Sequence, residues 1–423
     1  MKTPLEKAKE SKTFCIYPWI HQYVGPPGDV KPCCTYTQDM QLGSLKENTL
    51  KEIWNNEETK KIRLQMLNGE NPPGCNICTS RTHLGNTFRD SANLFFFDQK
   101  NYDLVNSTKE DGTVDEHKLQ YIDVRWNNLC NLKCRTCGPR FSSSWLDDHA
   151  KLHDLSDEHR ETFVFSGKTE EQALEEIIPH LPYVKSIYFA GGEPLMQEDH
   201  YKVLLELIRL GHTGSKYKPL IINYNSNFTQ LKLGKYNILD LWPKFKEIQL
   251  NASIDGSHKK AEYWRKGSHW DVIVNNRIKL KEKCPKVTFH INYTVSWVTI
   301  FNMFELHKEW VEKDYLDINH LNVNLLEGPK FYCLKNIPHW KKLKIDAALT
   351  EHQKWLVDKQ ANMHTIREFI KIRKFMYSTD TNTNDFIFSP DFIKETQKLD
   401  QIRKENFWDI YPEHLDMKEY LNV

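Results

Sequence analysis

From about residue 118 onward, short β-branched or aromatic runs alternate with helical stretches, and this alternation constrains the fold more than any other feature of the chain. The runs are LQYIDVRW (119–126), VKSIYFA (184–190), PLIINYN (219–225), EIQLNASI (247–254), VTFHINYTV (287–295) and INHLNVNLL (318–326). Helical patterns fall near 140–153, 197–211, 229–242, 268–283 and 301–313. Strands that alternate with helices predict an α/β fold, a parallel barrel or sheet. In such folds chemistry gathers at the C-terminal ends of the strands. Residues 1–117 form a different region: a turn-rich YVGPPGDVKPCC, an amphipathic SLKENTLKEIWNNEETKKIRLQMLNG, and a polar stretch at 101–117 expected as a linker. After 337 the alternation stops. Residues 338–376 read as helical, 377–385 as a polar break, and the rest as charged with scattered aromatics. The expected domains are therefore 1–117, 118–337 and 338–423.

The 423-residue chain has ten cysteines, and eight of them lie in its first third: Cys15, Cys33, Cys34, Cys75, Cys78, Cys130, Cys134 and Cys137. The formal charge is +1, so there is no electrostatic case for a nucleic-acid partner or an anionic membrane surface. Mean hydropathy is -0.65 and no apolar run reaches membrane-spanning length. The opening MKTPLEKAKESKTF has no apolar core, so it does not read as a secretory signal, and a cytoplasmic location is expected. Disulfides are disfavoured there, so clustered cysteines point to metal or redox chemistry.

Directly after the first strand comes CNLKCRTC, with Cys130, Cys134 and Cys137 at C-x3-C-x2-C spacing. Three thiolates can hold three irons of a cubane cluster and leave the fourth iron open to an external ligand. A zinc site borrowing its fourth ligand from elsewhere is the alternative. The second strand ends in FAGGEP, where Gly191 and Gly192 allow close backbone approach to a ligand and Glu193 can accept a bond from an ammonium. The fourth strand gives SIDGS, with Ser253 and Asp255 on one face by alternation.

These motifs resemble the radical S-adenosylmethionine superfamily, whose signature CNLKCRTC matches. The resemblance implies a partial (β/α)6 barrel. It implies that a [4Fe-4S] cluster on Cys130, Cys134 and Cys137 reductively cleaves S-adenosylmethionine. The resulting 5′-deoxyadenosyl radical then abstracts hydrogen from a substrate. Gly191, Gly192 and Glu193 would take the methionine amino group. Ser253 and Asp255 would face the ribose or carboxylate, Arg265 would pair with the carboxylate, and Asn225, with Asn227 beside it, would line the cleft. A reductant such as flavodoxin or ferredoxin would be the electron-donating partner. One departure is Thr136, where the family usually places an aromatic residue against the adenine. A lost aromatic contact is worth about 0.5–1.5 kcal/mol, so it does not exclude the cofactor.

The N-terminal set reads Cys15-x12-Gly28-x4-Cys33, followed by Cys75-x2-Cys78. It resembles the SPASM or twitch auxiliary-cluster extension in its single-cluster form, placed before the barrel rather than after it. Four thiolates would ligate a second [4Fe-4S] cluster fully, which fits an electron relay. Zinc on the same four cysteines is the alternative. Cys34 is either a neighbour or a substitute for Cys33, and Cys284 and Cys333 read as buried small hydrophobes. Arg125 and Trp126, at the end of the first strand, are candidates to face substrate, Arg125 by holding a carboxylate or phosphate. An ion pair at the rim is the competing reading of Arg125. A peptide or protein side chain is the first-choice substrate, and a sugar, alcohol or nucleotide the second. A non-enzymatic zinc-binding interaction protein is the alternative of another class.

Overall fold

The computed structural model of the chain describes residues 2–37, 39–80, 87–215, 218–378 and 385–422. Its strands are β1 (His21–Val24), β2 (Asp29–Lys31), β3 (Gly43–Ser44), β4 (Tyr121–Val124), β5 (Lys133–Cys134), β6 (Ser186–Phe189), β7 (Ile221–Ser226), β8 (Lys232–Leu233), β9 (Tyr236–Asn237), β10 (Ile248–Ser253), β11 (Arg265–Lys266), β12 (Thr288–Val295) and β13 (Leu321–Leu325). The fold is mixed α/β, and each of the six expected strands is present, five within their runs and β7 reaching one residue beyond its run. By internal contacts the chain divides into two compact units. One comprises Met1–Asn128, Val164–Asn223 and Lys244–Glu247; the other comprises Leu129–Phe163, Tyr224–Pro243 and Ile248–Val423.

In the first unit β6 pairs in parallel with β4, and β4 in parallel with β1. A hairpin then carries the chain from β1 to β2, and β2 pairs antiparallel with β3. The turn-rich N-terminal stretch thus supplies strands to the sheet that β4 belongs to. The helix Leu50–Trp54 starts at Thr49, whose side chain accepts from Glu52 N while the Glu52 side chain accepts from Thr49 N. The expected linker at 101–117 is not one. It contains the end of the helix Gln99–Asn106, and Val105 and Val114 are fully buried. The Val114 carbonyl accepts from Trp54 Nε1 at 3.0 Å and Asn55 Nδ2 at 2.9 Å. Two apolar anchors suffice to pack a stretch whose composition is otherwise polar.

In the second unit β10, β12 and β13 run parallel. Burial alternates strictly along β10 and β12. The buried face is apolar: Ile248, Leu250 and Ala252 on β10, and Phe289, Ile291, Tyr293 and Val295 on β12. The half-buried face is polar, with Gln249, Asn251 and Ser253 on β10 and Asn292 and Thr294 on β12. The helices Trp270–Lys283 and Ile300–Glu312 follow β11 and β12. The helix expected over 229–242 shrinks to Ile238–Leu241, because β8 and β9 form a hairpin ahead of it. Helices His339–Asp358, Met363–Met376, Ser389–Arg403 and Leu415–Leu421 follow β13. Most of the polar break expected at 377–385 lies outside the described residues. Among the described residues no helix is long and apolar enough to cross a membrane.

Candidate functional site

In the first unit Cys15, Cys33, Cys75 and Cys78 line one cavity. Each arrives on a different local device. Cys15 precedes the helix Tyr17–Ile20, Cys33 follows β2, Cys75 ends the 3-10 turn Pro73–Cys75, and Cys78 lies in the helix Asn76–Ser80. Gly28 shapes the turn between β1 and β2 at φ +94°, and a Cβ there would lie 2.5 Å from the Ser166 carbonyl oxygen. The rest of the wall includes Pro18, Tyr36, Met66 and Phe88, with Arg89 as a cation among them. Burial pushes the Cys15 and Cys33 thiols above their ordinary range and Cys75 up to about 12. Thiols in such surroundings need a bound cation to become ligating thiolates. Four cysteines on one cavity with an apolar wall supply the donor set of a fully ligated iron–sulfur cluster. Cys34 departs from this set: it is exposed and does not line the cavity.

Also in the first unit, β6 leads into the Gly191–Glu193 turn. Gly191 has φ +115°, and a Cβ there would sit 2.8 Å from the Arg125 Cβ, so glycine is required for both reasons. Glu193 is buried, and its Oε1 accepts from Leu195 N at 3.1 Å. That carboxylate oxygen caps the turn. Arg125 pairs with Asp123 at 3.3 Å and lies over the Tyr23 ring at 5.0 Å. Arg125 is thus the ion-pair partner of a fully buried carboxylate. Trp126 does not face an open cleft. Only 4% of its surface is exposed, and its ring stacks on Phe189 with centroids 5.9 Å apart.

In the second unit the cysteine loop is held from several sides. The β5–β11 pair puts Arg265 opposite Cys134 and Lys266 opposite Lys133. Ser144 Oγ donates to the Cys130 carbonyl at 2.7 Å, Ser142 Oγ to Leu132 O at 2.6 Å, and Trp145 Nε1 to the Cys134 carbonyl at 2.9 Å. Asn227 Nδ2 lies 3.8 Å from the Cys130 sulfur and 2.8 Å from Asn131 Oδ1. Cys134 is buried and its thiol raised by that burial, while Cys137 is exposed. Three thiols on a loop whose backbone carbonyls are already satisfied make a donor set that fits three corners of a cubane. Among the described residues no three His, Cys, Asp or Glu side chains come together as a single metal ion would require.

Asp255 and Arg265 were expected to address a cofactor separately; they engage each other. Asp255 is fully buried, takes Arg265 Nη2 at 2.6 Å and accepts from Thr294 N at 2.7 Å. Arg265 Nη1 lies 3.6 Å from the Cys134 sulfur. Burial works against the guanidinium charge, but Asp255 and then Cys134 offset it, and its pKa is raised. The motif spacing could not show this, because the β5–β11 pairing sets Arg265 opposite Cys134 and a helix separates Arg265 from Asp255. Ser253 and Asn225 are half-buried on their strands. Sequence reasoning missed the polar face they share with Asn251, which donates to the Tyr224 carbonyl at 3.1 Å and accepts from Asn322 Nδ2 at 3.0 Å. Its signal was the alternate polar residues in IQLNAS and LNVNL. Cys284 is buried and donates to the Leu239 carbonyl at 3.4 Å, and Cys333 is buried as well.

Residues 15–79 match the family described as an iron–sulfur cluster-binding domain, SPASM, and residues 122–279 match the family described as a 4Fe-4S single cluster domain. The two matches contain both cysteine sets, and the chain is an iron–sulfur protein with two cluster-binding segments. No curated protein sequence matches the chain. Among solved structures it is similar to native anSMEcpe with bound AdoMet, at 20% identity over 55% of this chain and 59% of that one, TM-score 0.37. It is similar to Streptococcus suis SuiB bound to S-adenosylmethionine, at 16% identity over 73% of this chain and 65% of that one, TM-score 0.39. It is similar to TYW1 with a lysine-pyruvate adduct bound, at 16% identity over 53% of this chain and 71% of that one, TM-score 0.29. The alignments with the first two span less than two-thirds of those chains. Similarity at these levels assigns nothing further to this one.

Proposed function

We propose that the chain is a radical S-adenosylmethionine enzyme acting on a peptide or protein side chain. The observation that carries this reading is the pairing of two separate thiol sets. A three-cysteine loop lies within the 4Fe-4S match, and four cysteines distant in sequence meet at one cavity within the auxiliary match. In this reading residues 118–337 build a partial (β/α)6 barrel, 1–117 carry the auxiliary cluster ahead of it, and 338–423 form a helical extension.

Cys130, Cys134 and Cys137 would hold the cluster that leaves an iron open, and Cys15, Cys33, Cys75 and Cys78 the fully ligated one. When bound, the open-iron cluster and S-adenosylmethionine supply reductive cleavage to a 5′-deoxyadenosyl radical, which takes hydrogen from substrate. The chain's own part is orientation and exclusion of water. Arg265 holds the loop through Cys134, and Ser253 and Asn225 offer polar groups on the half-buried face. Gly191 and Gly192 keep side chains away from the turn, and Glu193 supplies an acceptor for an ammonium. A flavodoxin- or ferredoxin-type protein would supply the electron. The peptide substrate follows from the resemblance of residues 15–79 to extensions found on peptide-modifying enzymes.

Metal content tests the reading. Anaerobically reconstituted protein should hold about eight irons per chain with matching sulfide, and a variant with Cys130, Cys134 and Cys137 all replaced by alanine about four. Stoichiometric zinc without acid-labile sulfide would overturn it. With a deuterated peptide substrate, label should move into 5′-deoxyadenosine.

A further inference from the structure

We infer that the helix Ser389–Arg403 and the turn after it are a positioning element for the cluster loop, acting through the two residues that flank Cys134. The inference rests on the proposal that this loop holds a cluster. Arg135 follows Cys134, and its side chain is fully buried. It pairs with Asp400, lies 3.5 Å from Glu405, and sits 3.9 Å above the Tyr263 ring. Asp400 also accepts from the Tyr263 hydroxyl at 2.8 Å and from Phe407 N at 2.7 Å. Lys133 precedes Cys134 and reaches Asp148 Oδ1 at 2.7 Å, while Asp148 Oδ2 accepts from Arg403 Nε at 2.9 Å. Lys266, the strand partner of Lys133, reaches Glu405 at 2.8 Å. Arg403 also lies 4.7 Å over the ring of Trp145, which bonds the Cys134 carbonyl.

A helix that only needed to pack would do so with apolar side chains, as Leu399 does against Trp145 and Leu152. Buried ion pairs carry a desolvation penalty that apolar packing avoids, and their best-attested use is to fix register. Here they fix the loop on both sides of its central cysteine. The loop has little structure of its own to do this, since β5 is two residues long.

The test compares full-length variants reconstituted side by side, reading iron per chain and the electron paramagnetic resonance of the reduced protein with and without S-adenosylmethionine. Asp400→Ala should lower iron from about eight to about four, keep the auxiliary signal, and lose the signal that responds to S-adenosylmethionine. Asp400→Asn is isosteric and keeps one acceptor oxygen, for Phe407 N or for Tyr263, which address different oxygens of Asp400. It should fold and at least halve the responsive signal. Leu399→Ala loosens the same helix without touching Arg135, and should keep about eight irons. The inference is overturned if both Asp400 variants keep the responsive signal, or if Leu399→Ala loses it equally. If the triple cysteine variant itself keeps about eight irons, the underlying function proposal fails, and this inference with it.

Discussion

Arg265 holds two partners at once, the Asp255 carboxylate and the Cys134 sulfur. Hydrogen bonds and positive charge at cluster sulfurs favour the reduced state. Arg265→Lys keeps a charge against Asp255 but loses the forked second donor. The loop cluster's potential should fall by roughly 30–60 mV, since about 1.4 kcal/mol corresponds to about 59 mV for one electron. A potentiometric titration checks this, and an unchanged potential would show that Arg265 acts on Asp255 alone. Gly191→Ala forces a Cβ to within 2.8 Å of the Arg125 Cβ at φ +115°. It should cost about 1–3 kcal/mol in urea denaturation. At this scale the sequence placed a turn after one strand and a cysteine loop after another, but not what their side chains touch. The GGE turn and the cysteine loop were legible because their chemistry is local. The Asp255–Arg265 pairing and the burial of Trp126 depend on tertiary neighbours that no spacing encodes.

Among the elements, the six strands were legible because each is a β-branched or aromatic run bounded by helix patterns. The β1–β2 hairpin was not. Its strands are four and three residues long, and the glycines and prolines between them dominate the local signal. The 101–117 stretch was misread for the opposite reason, since two buried valines in a polar run leave no periodicity to detect. The gathering of Cys15, Cys33, Cys75 and Cys78 at one cavity gives the auxiliary segment a distinct role to test. Replacing Cys75 and Cys78 with alanine should spare abortive 5′-deoxyadenosine formation while stopping product formation from substrate. Metal binding can be folding energy for a small segment, so the variant must first be shown to be folded. Normal turnover by a folded variant would leave the auxiliary cluster only a structural part.

For the whole chain, buried imidazoles set an acid limit on stability. Burial lowers His21, His200 and His414 to about 3 and His307 to about 4, and all four are 0–1% exposed. In the unfolded chain each would titrate near 6.5, so below that pH the unfolded state takes up protons the folded state refuses. The stability these groups contribute is complete above about 6.5. It declines as pH falls toward 3–4, by up to about 1.4 kcal/mol per pH unit for each. Chemical denaturation at pH 7 and 5.5 should show the drop, and equal midpoints would contradict it. The measurement that bears most directly on the central claim is anaerobic incubation of the reconstituted protein with a strong reductant and S-adenosylmethionine, followed by quantification of 5′-deoxyadenosine. It should form with the intact chain and be lost when Cys130, Cys134 and Cys137 are replaced by alanine. A preparation holding about eight irons that releases none would contradict that claim.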